Sequence, residues 1–298
     1  ELANILVKSL NKSKSKTHLI FSSSIQESND NLYGKSKLKA REILVSWSKK
    51  SGNIFTGLLI PNLFGPFGKP NYNSVISTFC YKLVNNEIPA IIQDSEIKLL
   101  YIQDLCEKIF QIINDKSNSS VLTVVHEKKI SVTEILILLK YFKKEYIDDG
   151  NIPKLNDDFE IKLFNTFRSY IEPKLFFPKN YVKHSDERGS FIELLRTGLP
   201  GQFSFSTTNK GHVRGNHFHT RKIERFSVIE GKALVEFRRI DSNEKYSFKL
   251  DGSNPAFIDM PVWCTHNIKN IGNKPLITNF WINEQYNPSD PDTFYVNV

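Results

Sequence analysis

Residues 215–226, GNHFHTRKIERF, place His217 and His219 one residue apart and Glu224 five residues further on. In an extended strand alternate side chains share a face, so the two imidazoles can reach a common point. Glu224, beyond a turn, can close that point from the neighbouring strand. His266, in PVWCTHNIKN, can add a fourth ligand from a distant strand. Three neutral imidazoles and one carboxylate suit Zn²⁺, Fe²⁺, Mn²⁺ or Ni²⁺ and leave room for a substrate oxygen or water; zinc is the favoured ion.

A second chemistry-bearing pattern lies near the start of the chain. YGKSK spaces Tyr33 and Lys37 four apart, on one face of a helix. An ammonium beside a phenol favours the phenolate and draws the tyrosine pKa down from about 10. Tyr33 can then hand a proton to a carbonyl oxygen as hydride arrives. The hydroxyl completing such a trio comes from FSSS, at the end of the preceding strand, with Ser24 preferred to Ser23.

The elements that must position these groups follow from the hydrophobic pattern. Residues 1–147 alternate short apolar runs (THLIFSSS, NIFTGLLI, IKLLYI, VLTVV) with helical stretches. One of these begins at NLYGKSK and keeps Leu38, Ile43, Leu44 and Trp47 near one face; a later one is capped by Thr133 and runs from residue 134 to about 144. Alternating strand and helix implies a mostly parallel, doubly wound sheet. Residues 148–183 lose that pattern and read as a connector packed on one or both domains, with one short helix at about 164–170. Residues 184–298 change to short alternating strands punctuated by glycine, asparagine or proline, the form of a β-sandwich or jelly roll.

Bulk properties narrow the classes. In 298 residues, 40% are hydrophobic and 24% charged, as in ordinary globular proteins. No apolar run is long enough to insert into a membrane, and the first residues lack the form of a signal peptide, so the expected compartment is the cytoplasm. The three cysteines, odd in number and far apart, speak against a disulfide framework or a thiolate zinc site. A net charge of +8 comes from scattered lysines and arginines without interleaved aromatics, which argues against nucleic acid as a partner.

A bare H-x-H usually marks two neighbouring surface histidines. Here Gly211 and Gly231 frame the set, and GHVRGNHFHTRKIERFSVIEG resembles the first cupin motif at each fixed position. PVWCTHNIKN resembles the second, with Pro261, His266 and Asn270 in place and Trp263 where cupins usually have glycine. DERGSFIELL resembles the opening of the rhamnose-pathway 3,5-epimerases, cupins that act on nucleotide-linked 4-keto sugars; that likeness would turn Arg188 toward the sugar nucleotide.

FSSS, then YGKSK, then PNLFGP resembles the extended short-chain dehydrogenase/reductase family, as does LLYIQDL with Asp104. That resemblance implies NADPH as cofactor, Asn62 near the substrate diphosphate, and the backbone of Pro61 and Leu63 near nicotinamide. No glycine-rich turn precedes Ser22, and the first glycine is Gly34. Roughly two βα units, on the order of 70 residues, are therefore expected to be missing from this chain. The chain as it stands is expected to bind NADPH weakly or not at all and to reduce little.

Taken together, the chain resembles the bifunctional capsular polysaccharide synthesis enzymes that form UDP-2-acetamido-2,6-dideoxy-L-talose. The fold implied is an N-terminally incomplete, Rossmann-like α/β reductase domain followed by an all-β cupin domain. The function implied is C3 epimerisation of a UDP-linked 4-keto-6-deoxy sugar, then C4 reduction, in a homodimer joined through the cupin domain. Lys222 and Tyr286 are both open as the epimerising base. Two other readings stay open: a non-catalytic sugar-nucleotide-binding cupin, and an Fe²⁺ cupin oxygenase.

Overall fold

The computed structural model describes residues 1–13, 16–181, 183–186, 189–192, 202–284 and 287–298; at 183–186, 189–192 and 202–205 it describes the backbone course only. The order of elements in the first part is α1 (Leu2–Ser13), β1 (His18–Ser24), a 3₁₀ turn (Ile25–Ser28), α2 (Leu32–Ser51), β2 (Ile54–Ile60), β3 (Asn62–Phe64), α3 (Val75–Val84), β4 (Glu96–Tyr101), α4 (Ile102–Asn114), β5 (Ser119–Thr123), β6 (Lys128–Ser131) and α5 (Val132–Phe142). A π-helical stretch (Lys143–Asp148), α6 (Asp158–Arg168) and the single turn α7 (Pro173–Phe176) follow. The described residues group into two compact units: Glu1–Gly65 with Ile91–Ile135, and Pro66–Ala90 with Leu136–Val298.

In the first unit β1, β2 and β5 form a wholly parallel sheet with β2 in the centre. A second sheet has the order β3-β4-β6, parallel between β3 and β4 and antiparallel between β4 and β6. The expected parallel sheet thus exists as two three-stranded pieces among the described residues. Leu58, Ile60, Leu100, Leu105, Ile112 and Val124 make the core, which explains why the central strands read as near-continuous apolar runs.

Helix α2 carries both tyrosine and lysine of the YGKSK pattern, and its ends are fixed by its own sequence. The Asn31 side chain caps its start by accepting from Gly34 N at 2.8 Å. Gly52, at φ 69°, closes it in the left-handed conformation that glycine takes without strain. Leu44 and Trp47 are buried as the periodicity predicts. Helix α5 differs from its prediction. Thr133 lies inside it, and the cap is Ser131, whose hydroxyl accepts from Glu134 N at 3.1 Å while the Glu134 carboxylate accepts from Ser131 N at 2.9 Å. The S-x-x-E capping box outcompetes a lone threonine two residues later.

The compact units do not follow the sequence boundaries at 147 and 183. The stretch read as a connector supplies large buried side chains to the second unit, among them Phe159, Leu163, Phe164 and Phe167. Phe142, Phe164, Tyr146, Phe176 and Phe177 form a chain of ring contacts with centroids 4.9–5.5 Å apart. The helix expected at 164–170 begins earlier, at Asp158, because Asp157 caps it through Glu160 N at 2.8 Å. Acidic clusters that looked like loop in the sequence are its first turn.

The rest of the second unit is strand: β7 (Lys179–Asn180), β8 (Lys183–Asp186), β9 (Gly189–Ile192), β10 (Gln202–Thr208), β11 (Val213–Phe218), β12 (Glu224–Glu230), β13 (Lys232–Arg239), β14 (Tyr246–Asp251), β15 (Ala256–Met260), β16 (Cys264–Asn270), β17 (Leu276–Ile282) and β18 (Phe294–Tyr295). Ten of them form two antiparallel five-stranded sheets, β10-β17-β12-β15-β7 and β14-β13-β16-β11-β18, and β8 pairs with β9 as a separate antiparallel hairpin. Apart from the β13–β14 hairpin, neighbouring strands in each sheet are distant in sequence, a jelly-roll pattern. Val228, Val235, Phe237, Ile258, Met260 and Ile268 fill the space between them. The alternation of buried and exposed positions along β13 is the period-two signal that marked it in the sequence.

Candidate metal centre and reductase residues

His217 lies on β11 and His266 on β16, directly opposite each other in the antiparallel ladder. β11 shifts register between Gly215 and His217, where Asn216 takes a φ of 57°. Gly215 sits at φ 104°, and a Cβ there would lie 2.7 Å from the His266 carbonyl oxygen, so only glycine lets the two strands approach this closely. His219 falls one residue past the end of β11. Glu224 opens β12 in the opposite sheet. The four side chains come together between the sheets, with every potential ligand atom within 4.8 Å of every other.

The chemistry of the donors fits a cation. His219 Nε2 and His266 Nε2 stand 3.2 and 3.3 Å from Glu224 Oε2, all three residues buried. Among the described residues, none of these three atoms has a hydrogen-bond partner. Unpaired buried polar atoms are costly, and three converging on one point are satisfied together by a divalent ion. The second ring nitrogens are occupied: His266 Nδ1 lies 3.2 Å from the Cys264 carbonyl and His219 Nδ1 against the Asp292 carbonyl. Those contacts select the tautomer that leaves Nε2 as a lone-pair donor.

Electrostatics point the same way. Burial, then the neighbouring His266 and His219 rings, push the His217 pKa down to about 4, so this ring is a neutral donor at physiological pH. Burial opposes ionisation of Glu224, but the flanking His219 and His266 hold its carboxyl below the usual carboxylate range. Burial likewise opposes charge on His219, while the Glu224 carboxylate raises its pKa. A cavity of about 160 Å³ opens beside the cluster, walled by Phe226, Val235, Met260, Ile268 and Phe280, with Ser206, Arg214 and Asn267 as its polar groups.

Trp263 keeps the backbone that glycine would have provided, at φ 60°. Its N–H donates to the His219 carbonyl at 2.8 Å, and its ring stacks on Phe218, which stacks in turn on Phe294. The aromatic stack offsets the strain of a non-glycine residue in this region, and the turn before His266 is intact.

In the first unit, Ser24 ends β1, and Tyr33 and Lys37 share a face of α2. The Lys37 ammonium lies over the Tyr33 ring at 5.8 Å and the Phe21 ring at 5.7 Å, and donates to the Ser22 carbonyl at 3.2 Å. Ser24 Oγ accepts from Gln26 N at 3.2 Å, and the Ser23 hydroxyl bonds the Glu27 carboxylate. Pro61 is buried between β2 and β3, and Asn62 and Leu63 run along β3 beside Leu99 and Leu100. Arg188 and Tyr286 lie outside the described residues. Lys222 is buried, with Nζ donating to the Pro291 carbonyl at 2.7 Å, and is not among the cavity-lining residues.

Sequence reasoning missed Asp292. Its carboxylate accepts from Thr220 N, Arg221 N and Lys222 N, each at 3.0 Å, and from the Thr220 hydroxyl at 2.6 Å. It is 73 residues from His219, and nothing in SDPDTF distinguishes it from an ordinary turn aspartate.

This architecture defines a two-part protein. Residues 14–124 match the NAD dependent epimerase/dehydratase family and residues 184–294 the polysaccharide biosynthesis C-terminal domain. Over 284 residues the chain is 35% identical to the UDP-2-acetamido-2,6-beta-L-arabino-hexul-4-ose reductase of Pseudomonas aeruginosa, which spans 94% of this chain and 75% of that one, and it belongs to that protein's family. The crystal structure of the capsular polysaccharide assembling protein CapF from Staphylococcus aureus superposes with a TM-score of 0.62 at 36% identity, covering 99% of this chain and 82% of that one. The spore coat polysaccharide biosynthesis protein SpsL of Bacillus subtilis is 28% identical over 124 residues, 38% of this chain and 82% of its own.

Proposed function

We propose that this chain modifies a UDP-linked 4-keto-6-deoxy sugar destined for a surface polysaccharide, in two steps. The jelly-roll domain epimerises C3 of a UDP-2-acetamido-2,6-dideoxy-4-hexulose, and the reductase-type domain carries the residues that serve NADPH-dependent reduction of the C4 ketone to the L-talose sugar, with little turnover expected in the absence of a glycine-rich pyrophosphate turn. The relatives support this reading through the hexulose reductase and capsular polysaccharide functions in their names. The observation that carries the first step is the convergence of His217, His219, Glu224 and His266 on one buried point.

Those four residues would hold a divalent ion, zinc by the nature of the donors. Bound there, it supplies Lewis acidity toward a substrate oxygen. The protein's own contribution is a narrow, largely apolar cavity that excludes water from the sugar ring while C3, acidified by the adjacent ketone, gives up its proton to a base and takes one back on the opposite face. In the second step Tyr33 hands a proton to the C4 oxygen as hydride arrives, Lys37 lies beside the phenol, and Ser24 binds the same oxygen. Asn62 contacts the diphosphate, Pro61 and Leu63 border the nicotinamide, Arg188 faces the sugar nucleotide, and two chains pair through their jelly rolls.

The test is solvent exchange. The chain is incubated with the 4-keto UDP-sugar in D₂O and deuterium at C3 is read by mass spectrometry, with Glu224→Gln alongside. Exchange by the parent and its loss in the variant are expected. Sugar bound without exchange at C3 would contradict the assignment.

A further inference from the structure

His219 differs from the other three candidate ligands in lying outside any strand. His217 and His266 are fixed by the ladder between β11 and β16, and Glu224 by β12. The His219 backbone is held by the Trp263 N–H on its carbonyl, and its ring by a segment near the C-terminus. The buried Asp292 carboxylate gathers the backbone N–H groups of three successive residues, Thr220, Arg221 and Lys222, and the Thr220 hydroxyl. Its own backbone carbonyl accepts from His219 Nδ1. The flanking residues add to the hold: Lys222 Nζ donates to the Pro291 carbonyl, and the Arg221 guanidinium pairs with Asp290 at 2.8 Å.

We propose that Asp292 is a positioning residue for the metal centre: its carboxylate clamps residues 220–222 so that its carbonyl fixes the His219 tautomer and aims Nε2 at the ion. The inference rests on the metal-site reading. A carbonyl acceptor on Nδ1 leaves the proton there and the lone pair on Nε2, and outer partners of this kind are typically worth about 10–100-fold in metal affinity. The carboxylate matters because it gathers three successive backbone N–H groups and a hydroxyl of the loop carrying His219 onto the residue whose carbonyl holds the ring. An amide in its place would turn an N–H toward donors now satisfied by Oδ1 or Oδ2.

The experiment uses the full chain, stripped of metal, titrated with Co²⁺ and followed by visible absorption. Zn²⁺ competition gives the relative affinities, and ¹⁵N shifts of the metal-free protein report the His219 tautomer. Asp292→Asn is expected to weaken both metals about 10–100-fold and to mix the His219 tautomers, with the metal-free melting curve retained. Thr220→Val removes one hydroxyl bond in a nearly isosteric way, and is expected to weaken binding less, in the same direction. It decides the matter if Asp292→Asn does not fold. Affinities within about threefold of the parent in the folded variants, with an unchanged tautomer, overturn the inference. A parent that binds no cobalt overturns the metal reading, and the inference with it.

Discussion

Glu224 is the residue on which the proposed centre turns, because it is the single carboxylate among the four converging side chains. Glu224→Gln keeps the shape and removes the charge, and calorimetry is expected to show a loss of zinc affinity greater than the roughly 10–100-fold typical of outer-sphere partners. A different carboxylate governs acid stability in the first unit. Arg41 Nε donates to both Glu27 oxygens at 3.0 and 2.9 Å, and its Nη2 to Oε2 at 2.7 Å. Burial opposes ionisation of Glu27, but Arg41 and then Ser23 bring its pKa below the ordinary value. A depressed carboxylate stabilises the fold above its unfolded pKa of about 4.3, and that contribution disappears as pH falls through the folded value. Glu27→Gln is therefore expected to lower the melting temperature at pH 7 and to reduce the difference from the parent as the buffer is taken below about pH 4.

Among the elements, the β1-to-α2 corner is the most tightly constrained. A Cβ on Gly34 would stand 2.3 Å from the Gln26 carbonyl oxygen and 2.7 Å from that of Asn29, both backbone atoms. The glycine in YGKSK thus lets the 3₁₀ turn press against the start of α2, next to Tyr33. Gly34→Ala is expected to cost about 1–3 kcal/mol in chemical denaturation of the whole chain, and to weaken any C4 reduction more than C3 exchange. Much at this level was legible in the sequence. The H-x-H motif, the glutamate beyond the turn and the distant histidine could be read from the sequence as one candidate ligand set, although His219 lies past the end of β11 and period-two geometry does not place it. The helix at YGKSK follows from its apolar face. What was hidden depends on long-range pairing: the bulge at Asn216, the strap holding His219, and the capping box that displaced Thr133. Trp263 looked like a broken glycine position, and no local rule says that Phe218 and Phe294 would stack against it.

Within the second unit, α6 and the π-helical stretch share a buried polar network with the jelly roll. Arg225 and Asp259 form a two-pronged ion pair at 2.7 and 3.0 Å, both almost wholly buried, and the guanidinium lies 3.9 Å over the Phe257 ring. Arg225 also donates to the Gly150 carbonyl at 3.1 Å, and Arg168 to the Met260 carbonyl at 2.7 Å. Asp259→Ala strands a buried guanidinium, and is expected to destabilise this unit by about 3–5 kcal/mol in thermal and denaturant unfolding. How the connector packs was not legible, because its aromatic residues, spaced irregularly among acids and prolines, bury themselves against partners far along the chain. Its acidic start looked like loop, yet it caps a helix whose apolar face completes a core.

The most direct measurement is X-ray absorption at the zinc edge on the metal-loaded chain. One zinc per chain is expected, with three imidazole nitrogens at about 2.0–2.1 Å and a carboxylate oxygen at a similar distance. A chain that takes up no zinc, or zinc with fewer than three imidazoles in its inner sphere, would contradict a centre built from His217, His219, Glu224 and His266.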